Sequence, residues 1–429
     1  MTVPPGSMQM ESPREPLIDI GANLTNAAFR DHLPGVIARA RKAGLAAIVV
    51  TGTSVEASEA ATRLASDHPG FLYATAGVHP HHASDWSESS RRALGQLLRS
   101  ENVVAAGECG LDSERNYSPP AAQLNCFRQQ LELACELGKP LFLHCRGAHR
   151  EFVEVLDAFG GRLPRLVVHC FTEGPEQVRA YIARDWYVGI TGWICDEKRG
   201  AALREAVREI PLQRLLVETD APYLIPLNKP DARRRDRNEP AYLPWIVKKL
   251  AECRSQIEPW IAHATTCAAM ELFGLGGETQ AARIYNYRMV THRLSTSGQP
   301  TEAQLHAMAR EGFGAVINLA LHDDPRYSLP DETGLVSSLG MEYVHIPVQF
   351  DHPTQADLSA FFAAMERHKE QKVLVHCAAN MRVSAFVGLY RAIRERLPDE
   401  EAFSVMKTIW EPNPVWAAFI AAMLEVQRK

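Results

Sequence analysis

The stretch that decides the fold is Leu215–Leu224, Leu-Leu-Val-Glu-Thr-Asp-Ala-Pro-Tyr-Leu. An apolar run bounded by Pro211 and Pro222 is too short for a helix and suits a strand covered on both faces. Where that strand should leave the core, polar residues begin: Glu218, Thr219, Asp220. The same grammar recurs earlier: VVAAGECGLD ends its apolar run in Glu108, PLFLHCR in His144, RLVVHCF in His169 and FLYATAGVHPHH in His79. A single polar residue capping a buried strand is ordinary. Five strand ends in metal-type ligands point to convergence, because parallel strands in a closed barrel present their C-terminal ends on one face.

Working outward from this stretch, eight such runs alternate with amphipathic segments: LIDI, LAAIVVTGT, FLYATAGV, VVAAGE, PLFLHC, RLVVHC, WYVGITG and LLVETD. Eight buried strands and their helices over roughly 250 residues predict a (β/α)₈ barrel, although periodicity alone also admits an open doubly wound sheet. Gly276 and Gly277, after the helical run WIAHATTCAAMELFGL, read as its C-cap and the start of a linker. The expected organisation is a disordered lead over 1–15, a barrel over 16–277, a linker over 278–287 and a smaller α/β domain over 288–429. That last domain shows strands in AVINLA, MEYVHIPV and KVLVHC, with helices between and after them.

The 429 residues exceed what one core usually organises. A hydrophobic content of 46% with 23% charged residues is ordinary for a globular protein and calls for no membrane span. A net charge of -5 gives no global attraction for nucleic acid, so such binding needs a local basic patch or a metal. The nine cysteines contain no CxxC pair and fit reduced thiols in a cytoplasm. The opening residues lack the apolar segment of a signal peptide. Oligomeric state is not legible.

Between Ile18 and about Leu275 the motifs IDIGANLT, TAGVHPH, AAGECGLD, FLHCR, VVHCFT, VGITGWICDEKRG, ETDAPYL and RNEPAYLP, in this order, resemble the TatD family of metal-dependent nucleases. The resemblance implies a TIM barrel of the metal-dependent hydrolase type, a divalent metal, and hydrolysis of phosphodiester bonds. In the TatD branch it implies 3'-to-5' removal of nucleotides from single strands of DNA, with RNA a second candidate substrate. Glu108, His144, His169 and Asp220 match the family's metal ligands, and His79 a family active-site histidine. The first strand departs from the wider family's D-x-H-x-H: it reads Asp19-Ile20-Gly21-Ala22-Asn23 and lacks both imidazoles.

The residue chemistry is consistent on its own terms. His144 and His169 offer borderline imidazole nitrogens, while Glu108 and Asp220 offer hard oxygens, a set that favours Mg²⁺ and also suits Mn²⁺ or Zn²⁺. Asp220 is the candidate base for an attacking water. Arg233, Arg234, Arg235 and Arg237 follow the Asp220 strand on the same side and could bind nucleic acid; by composition alone they are a solvated loop. Trp193 and Tyr223 are candidates for base stacking or for rim packing.

The second domain carries His376-Cys377-Ala378-Ala379-Asn380-Met381-Arg382 between a buried strand and a helix. This resembles the phosphate-binding loop of cysteine-dependent tyrosine and dual-specificity phosphatases, a likeness that extends over roughly Arg288 to Lys429. It implies a Cys377 nucleophile, phosphate held by His376, Asn380 and Arg382, and a general acid for which Asp351 competes with Asp323 and Asp324. The loop has four residues between Cys377 and Arg382 where the family pattern has five. A phosphate-containing ligand is therefore expected here with weak chemistry. The reading is a two-domain hydrolase. Its rivals are a metal-dependent hydrolase of a small amide or ester, and a bifunctional protein whose main activity is the phosphatase.

Overall fold

Eight apolar runs form eight parallel strands: β1 (Leu17–Ala22), β2 (Leu45–Val50), β3 (Leu72–Ala76), β4 (Val103–Asp112), β5 (Leu141–Arg146), β6 (Leu166–Val168), β7 (Tyr187–Ile190) and β8 (Leu215–Val217). They pair in the order of the chain. The ring closes where β1 meets β8: Ala22 bridges Ala221 in parallel, the Asp220 amide donates to Gly21 O at 2.8 Å, and the Asn23 amide donates to Ala221 O at 2.7 Å. Beneath this seam the buried Asp19 carboxylate accepts from the Thr219 amide at 2.9 Å and the Thr219 hydroxyl at 2.5 Å. Closure excludes the open doubly wound sheet. The computed structural model describes residues 16–275, 284–322 and 328–428. The expected lead, Gly276, Gly277, the first part of the expected linker, Asp323 and Asp324 lie outside the described residues.

Strand residues alternate between two apolar layers, as the period of two requires. Leu141, Leu143, Leu166, Val168, Leu215 and Val217 pack outward against the surrounding helices. Ile18, Ile20, Phe142, Val167, Tyr187 and Leu216 face inward, where Ala268, Ala269, Leu272 and Phe273 of the helix Glu258–Phe273 pack against them. Continuing the inward parity toward the strand ends brings Phe142 to His144, Val167 to His169, and Leu216 to Glu218 and Asp220. The lower barrel is thus an apolar plug and the upper barrel a polar one. The helix Glu258–Phe273 is capped by Gly274, whose φ of 67° is left-handed, and not by Gly276 as the sequence suggests.

The chain divides into two units, Met1–Gly276 and Gly277–Lys429. The second holds a five-stranded sheet in the order β12-β11-β13-β10-β9. Its strands are β9 (Arg288–Met289), β10 (Leu294–Ser297), β11 (Phe313–Asn318), β12 (Glu342–His345) and β13 (Lys372–His376), parallel except for β9. Two of these, β9 and β10, carry no apolar signature and are absent from the sequence reading. Ile284, expected in a linker, is buried in this unit's core with Leu305, Met308 and Phe313. Capping boxes start the helices Glu302–Arg310 (Thr301 with Gln304) and Gln355–Arg367 (Thr354 with Asp357). All nine cysteines are free, and no described helix is long and apolar enough to cross a membrane.

Candidate active sites

At the C-terminal mouth of the barrel lies a cavity of about 690 Å³ whose wall includes Asn23, His79, Glu108, His144, His169 and Asp220. Its centre is the Glu108 carboxylate. Oε1 lies 2.7 Å from His169 Nε2, 3.0 Å from His144 Nδ1 and 3.2 Å from His79 Nε2. Only the His169 approach has hydrogen-bond geometry. His144 Nε2 is buried 3.5 Å from Asp112 Oδ2 without forming a hydrogen bond. Nitrogens that crowd one carboxylate oxygen without donating to it are what a shared cation requires. His79, Glu108 and His144 each offer a ligand atom within 4.8 Å of the others. The residues present therefore fit a divalent metal.

Electrostatics agree. Burial pushes Asp220 up to about 7, with Glu108 and Glu218 adding to the rise against the pull of His169. It pushes Asp19 up to about 8 despite the hydrogen bonds from Thr219. The same burial takes His79 down to about 4, so its ring is neutral and can ligate. Burial alone would raise Glu108, but the His169 and His79 rings hold it well below the ordinary range. Carboxyl groups this crowded in a buried pocket favour a cation.

Other polar residues in and behind the cavity escaped the sequence reading. Strand β4 runs on from Glu108 to Asp112, so Glu108 lies within the strand and Asp112 at its end. Asp112 Oδ2 lies 2.9 Å from His81 Nε2. The even spacing of Glu108 and Asp112 was the available signal, since it puts both on one face. Glu218 is fully buried behind the cavity, 3.3 Å from His169 Nδ1 through Oε2, and its Oε1 accepts from the Cys170 amide at 2.6 Å. Asn23, in place of the family imidazole, donates to Asp220 Oδ1 at 3.0 Å.

Of the four arginines singled out, only Arg234 lines the cavity. Its Nη2 donates to the buried Asp196 at 2.7 Å, which also accepts from Arg199 Nε at 2.7 Å. Arg199, not among the four, lines the wall and covers the Trp193 ring at 4.2 Å. Arg237 turns away to Ala28 O at 2.7 Å, while Arg233 and Arg235 are exposed and do not line it. Tyr223 is on the wall, its hydroxyl accepting from Asn26 at 3.1 Å.

In the second unit, β13 delivers His376 and the buried Cys377 to the start of the helix Met381–Ile393. The short loop turns through Asn380, whose φ of 63° is left-handed. The Asn380 side-chain amide donates to Asn286 O at 2.8 Å and Thr296 Oγ1 at 2.9 Å. The carbonyls of Ala378 and Ala379 are held from outside by the Gln299 amide at 3.2 Å and Asn286 Nδ2 at 3.1 Å. Among the described residues the amides of Ala378, Ala379, Met381 and Arg382 have no hydrogen-bond partner, and Arg382 Nε is buried without one. Beneath the loop, His376 Nε2 lies 2.9 Å from the fully buried Glu332, which Asn318 also contacts at 3.0 Å. Asp351 is exposed and follows Phe350, whose ring lies under the Arg382 guanidinium at 5.8 Å. Ser384 donates to Met381 O and accepts from Trp410.

A (β/α)₈ barrel that gathers histidines and carboxylates at its C-terminal mouth belongs to the class of metal-dependent hydrolases. Comparison with known proteins narrows the class: residues 18–274 match the model of the TatD related DNases. The chain is 49% identical over 259 residues to the 3'-5' ssDNA/RNA exonuclease TatD of Edwardsiella piscicida, covering 60% of this chain and all of that protein. Its counterpart in Salmonella typhimurium is 46% identical over 260 residues, 60% of this chain and 98% of that one. The crystal structure of a TatD homologue from Escherichia coli K12 superposes with a TM-score of 0.56 at 28% identity, covering 61% of this chain and 98% of the other. The chain belongs to the TatD-related DNase family and is a hydrolase. Residues 280–411 match the model described as "DSP-PTPase phosphatase fused to NAD+ Kinase", so a phosphatase-like unit follows the nuclease barrel.

Proposed function

We propose that the barrel removes nucleotides from the 3' end of single-stranded DNA or RNA in the cytoplasm, using a divalent metal held by Glu108, His144, His169 and Asp220 with His79 beside them. The observation that carries this is the convergence of three imidazole nitrogens on Glu108 Oε1 at the base of an open cavity. Mg²⁺ is the favoured ion, given the hard carboxylate oxygens, with Mn²⁺ and Zn²⁺ also matching the imidazoles. Bound there, the ion would polarise the phosphodiester and neutralise charge developing on its non-bridging oxygens. Asp220 takes the proton of the attacking water: Asn23 occupies Oδ1, leaving Oδ2 to receive it. Arg199 and Arg234, held on Asp196, bind phosphate groups along the approach.

The test is release of mononucleotides from single strands labelled at either end, with and without chelator. Divalent-dependent loss of the 3' label first is expected. His144→Ala, His169→Ala and Glu108→Ala should abolish it in a chain that still unfolds cooperatively. Full activity after exhaustive chelation would overturn the reading, and cleavage of a small amide or ester but not of the strands would favour the rival hydrolase.

For the second unit we propose a phosphate-binding role at Cys377–Arg382 with slow phosphatase chemistry, supported by the unpartnered amides and the buried Arg382 Nε. Cys377 would be the nucleophile and Asp351 the proton donor. His376 shapes the pocket from below through Glu332, and Asn380 through its left-handed turn.

A further inference from the structure

Among the described residues, the only Phe, Trp or Tyr side chains that are mostly exposed are Tyr117, 70% exposed, and Tyr223, 53% exposed. Tyr223 lines the metal-site cavity, and Tyr117 packs on a residue that lines it. That residue is His81, met edge to face with ring centroids 4.7 Å apart at 86°.

Topology sets their relation. Tyr117 lies in the loop after β4 and Tyr223 in the loop after β8. In a ring that runs β1 to β8 and closes between β8 and β1, these loops are half a circumference apart. The two rings therefore flank the mouth from opposite sides, with the Glu108 cluster below and between them. Each is fixed by its polar neighbours: Asn26 holds the Tyr223 hydroxyl, and Asp112 holds His81 beneath Tyr117. A ring anchored at its edge or on one side and bare on a face is a ready stacking surface.

We infer that Tyr117 and Tyr223 are stacking platforms for the two bases flanking the scissile phosphodiester, one on each side of the mouth; this rests on the nuclease reading above. A phosphodiester at the Glu108 cluster leaves its two bases to part toward opposite walls. Paired bases cannot part in this way without unpairing, so the arrangement itself selects single strands.

The experiment uses the full chain with Mg²⁺ and three short strands: intact, abasic at the 3'-terminal nucleotide, and abasic at the penultimate one. Tyr117→Ala and Tyr223→Ala should each raise KM on the intact strand by about 5–150-fold, the range for one base–aromatic stack. The corresponding phenylalanine variants keep the ring and should raise KM less than alanine does, Tyr223→Phe more than Tyr117→Phe because it loses the hydrogen bond from Asn26. The loss caused by one alanine should vanish on one abasic strand, and that caused by the other alanine on the other. Wild-type KM in both alanine variants, or equal losses on intact and abasic strands, would overturn the inference while the nuclease reading stands. A wild-type chain inert on every strand would overturn both.

Discussion

Replacing Gly189 by alanine asks whether the Glu218 carboxylate is what fixes His169. A Cβ at Gly189 would lie 2.5 Å from Glu218 Oε1 and 3.3 Å from His169 Cα, while one at Gly21 would lie 2.3 Å from Glu218 Oε2. The carboxylate is thus caught between two side-chain-free positions on β7 and β1. It cannot swing aside without leaving the Cys170 amide and His169 Nδ1. Losing a hydrogen bond to a charged acceptor costs about 1.5–3 kcal/mol and overpacking about 1–3 kcal/mol, so Gly189→Ala should destabilise the barrel by about 2.5–6 kcal/mol. For a unit of this size that lowers its Tm by roughly 5–24 °C. A loosened His169 should also weaken metal binding by about 10–100-fold. Thermal unfolding and calorimetric titration with Mn²⁺ measure the two effects. Gly161→Ala, where a Cβ meets nothing within 4 Å, is the control. The decisive comparison repeats Gly189→Ala in a Glu218→Ala background. If the clash is with the carboxylate, most of the cost disappears there, and a coupling of at least about 1 kcal/mol is expected. Strict additivity would refute the reasoning and assign the cost to the His169 backbone.

Three further outcomes are expected. Arg234→Ala should weaken single-strand binding and lower its salt slope, whereas Arg233→Ala and Arg235→Ala should not; equal effects from all three would return the run to a diffuse basic loop. With the barrel silenced by chelator, the full chain should bind phosphate but turn over an aryl phosphate slowly, and rapid turnover abolished by Cys377→Ser would contradict the weak-chemistry reading. Burial alone would raise Glu332, yet His376 holds it below the ordinary carboxylate value. Its stabilisation is therefore complete above about pH 4.3 and fades as pH falls through the lowered value; Glu332→Gln should flatten that acid limb, read by tryptophan fluorescence during acid titration.

The barrel was legible because each of its strands is an apolar run that ends in a polar residue. Convergence of Glu108, His144, His169, His79 and Asp220 on one cavity followed from the parallel arrangement of those ends. What was missed lies one parity step away. Asp112 and Glu218 share faces with Glu108 and Asp220 at even spacing, but only one carboxylate per strand was read. Strand β10, Leu-Ser-Thr-Ser, is buried yet polar, so it had no apolar signature. Contiguous charges on a loop point in different directions, so of the four arginines only Arg234 lines the cavity. Asp196, a buried carboxylate outside that run, holds Arg234 together with Arg199.

The seam of the barrel also governs when the centre can exist. Asp19 bonds to Thr219, and Asp220 to Gly21, across about two hundred residues of chain. A polypeptide emerging from the ribosome folds from its N-terminus at about 5–20 residues per second. It therefore carries Glu108, His144 and His169 for about 3–10 seconds before the strand bearing Asp220 appears. Throughout that interval the ring is open and Asp220 has not been made. The order of the strands thus delays completion of the centre until most of the barrel has been read.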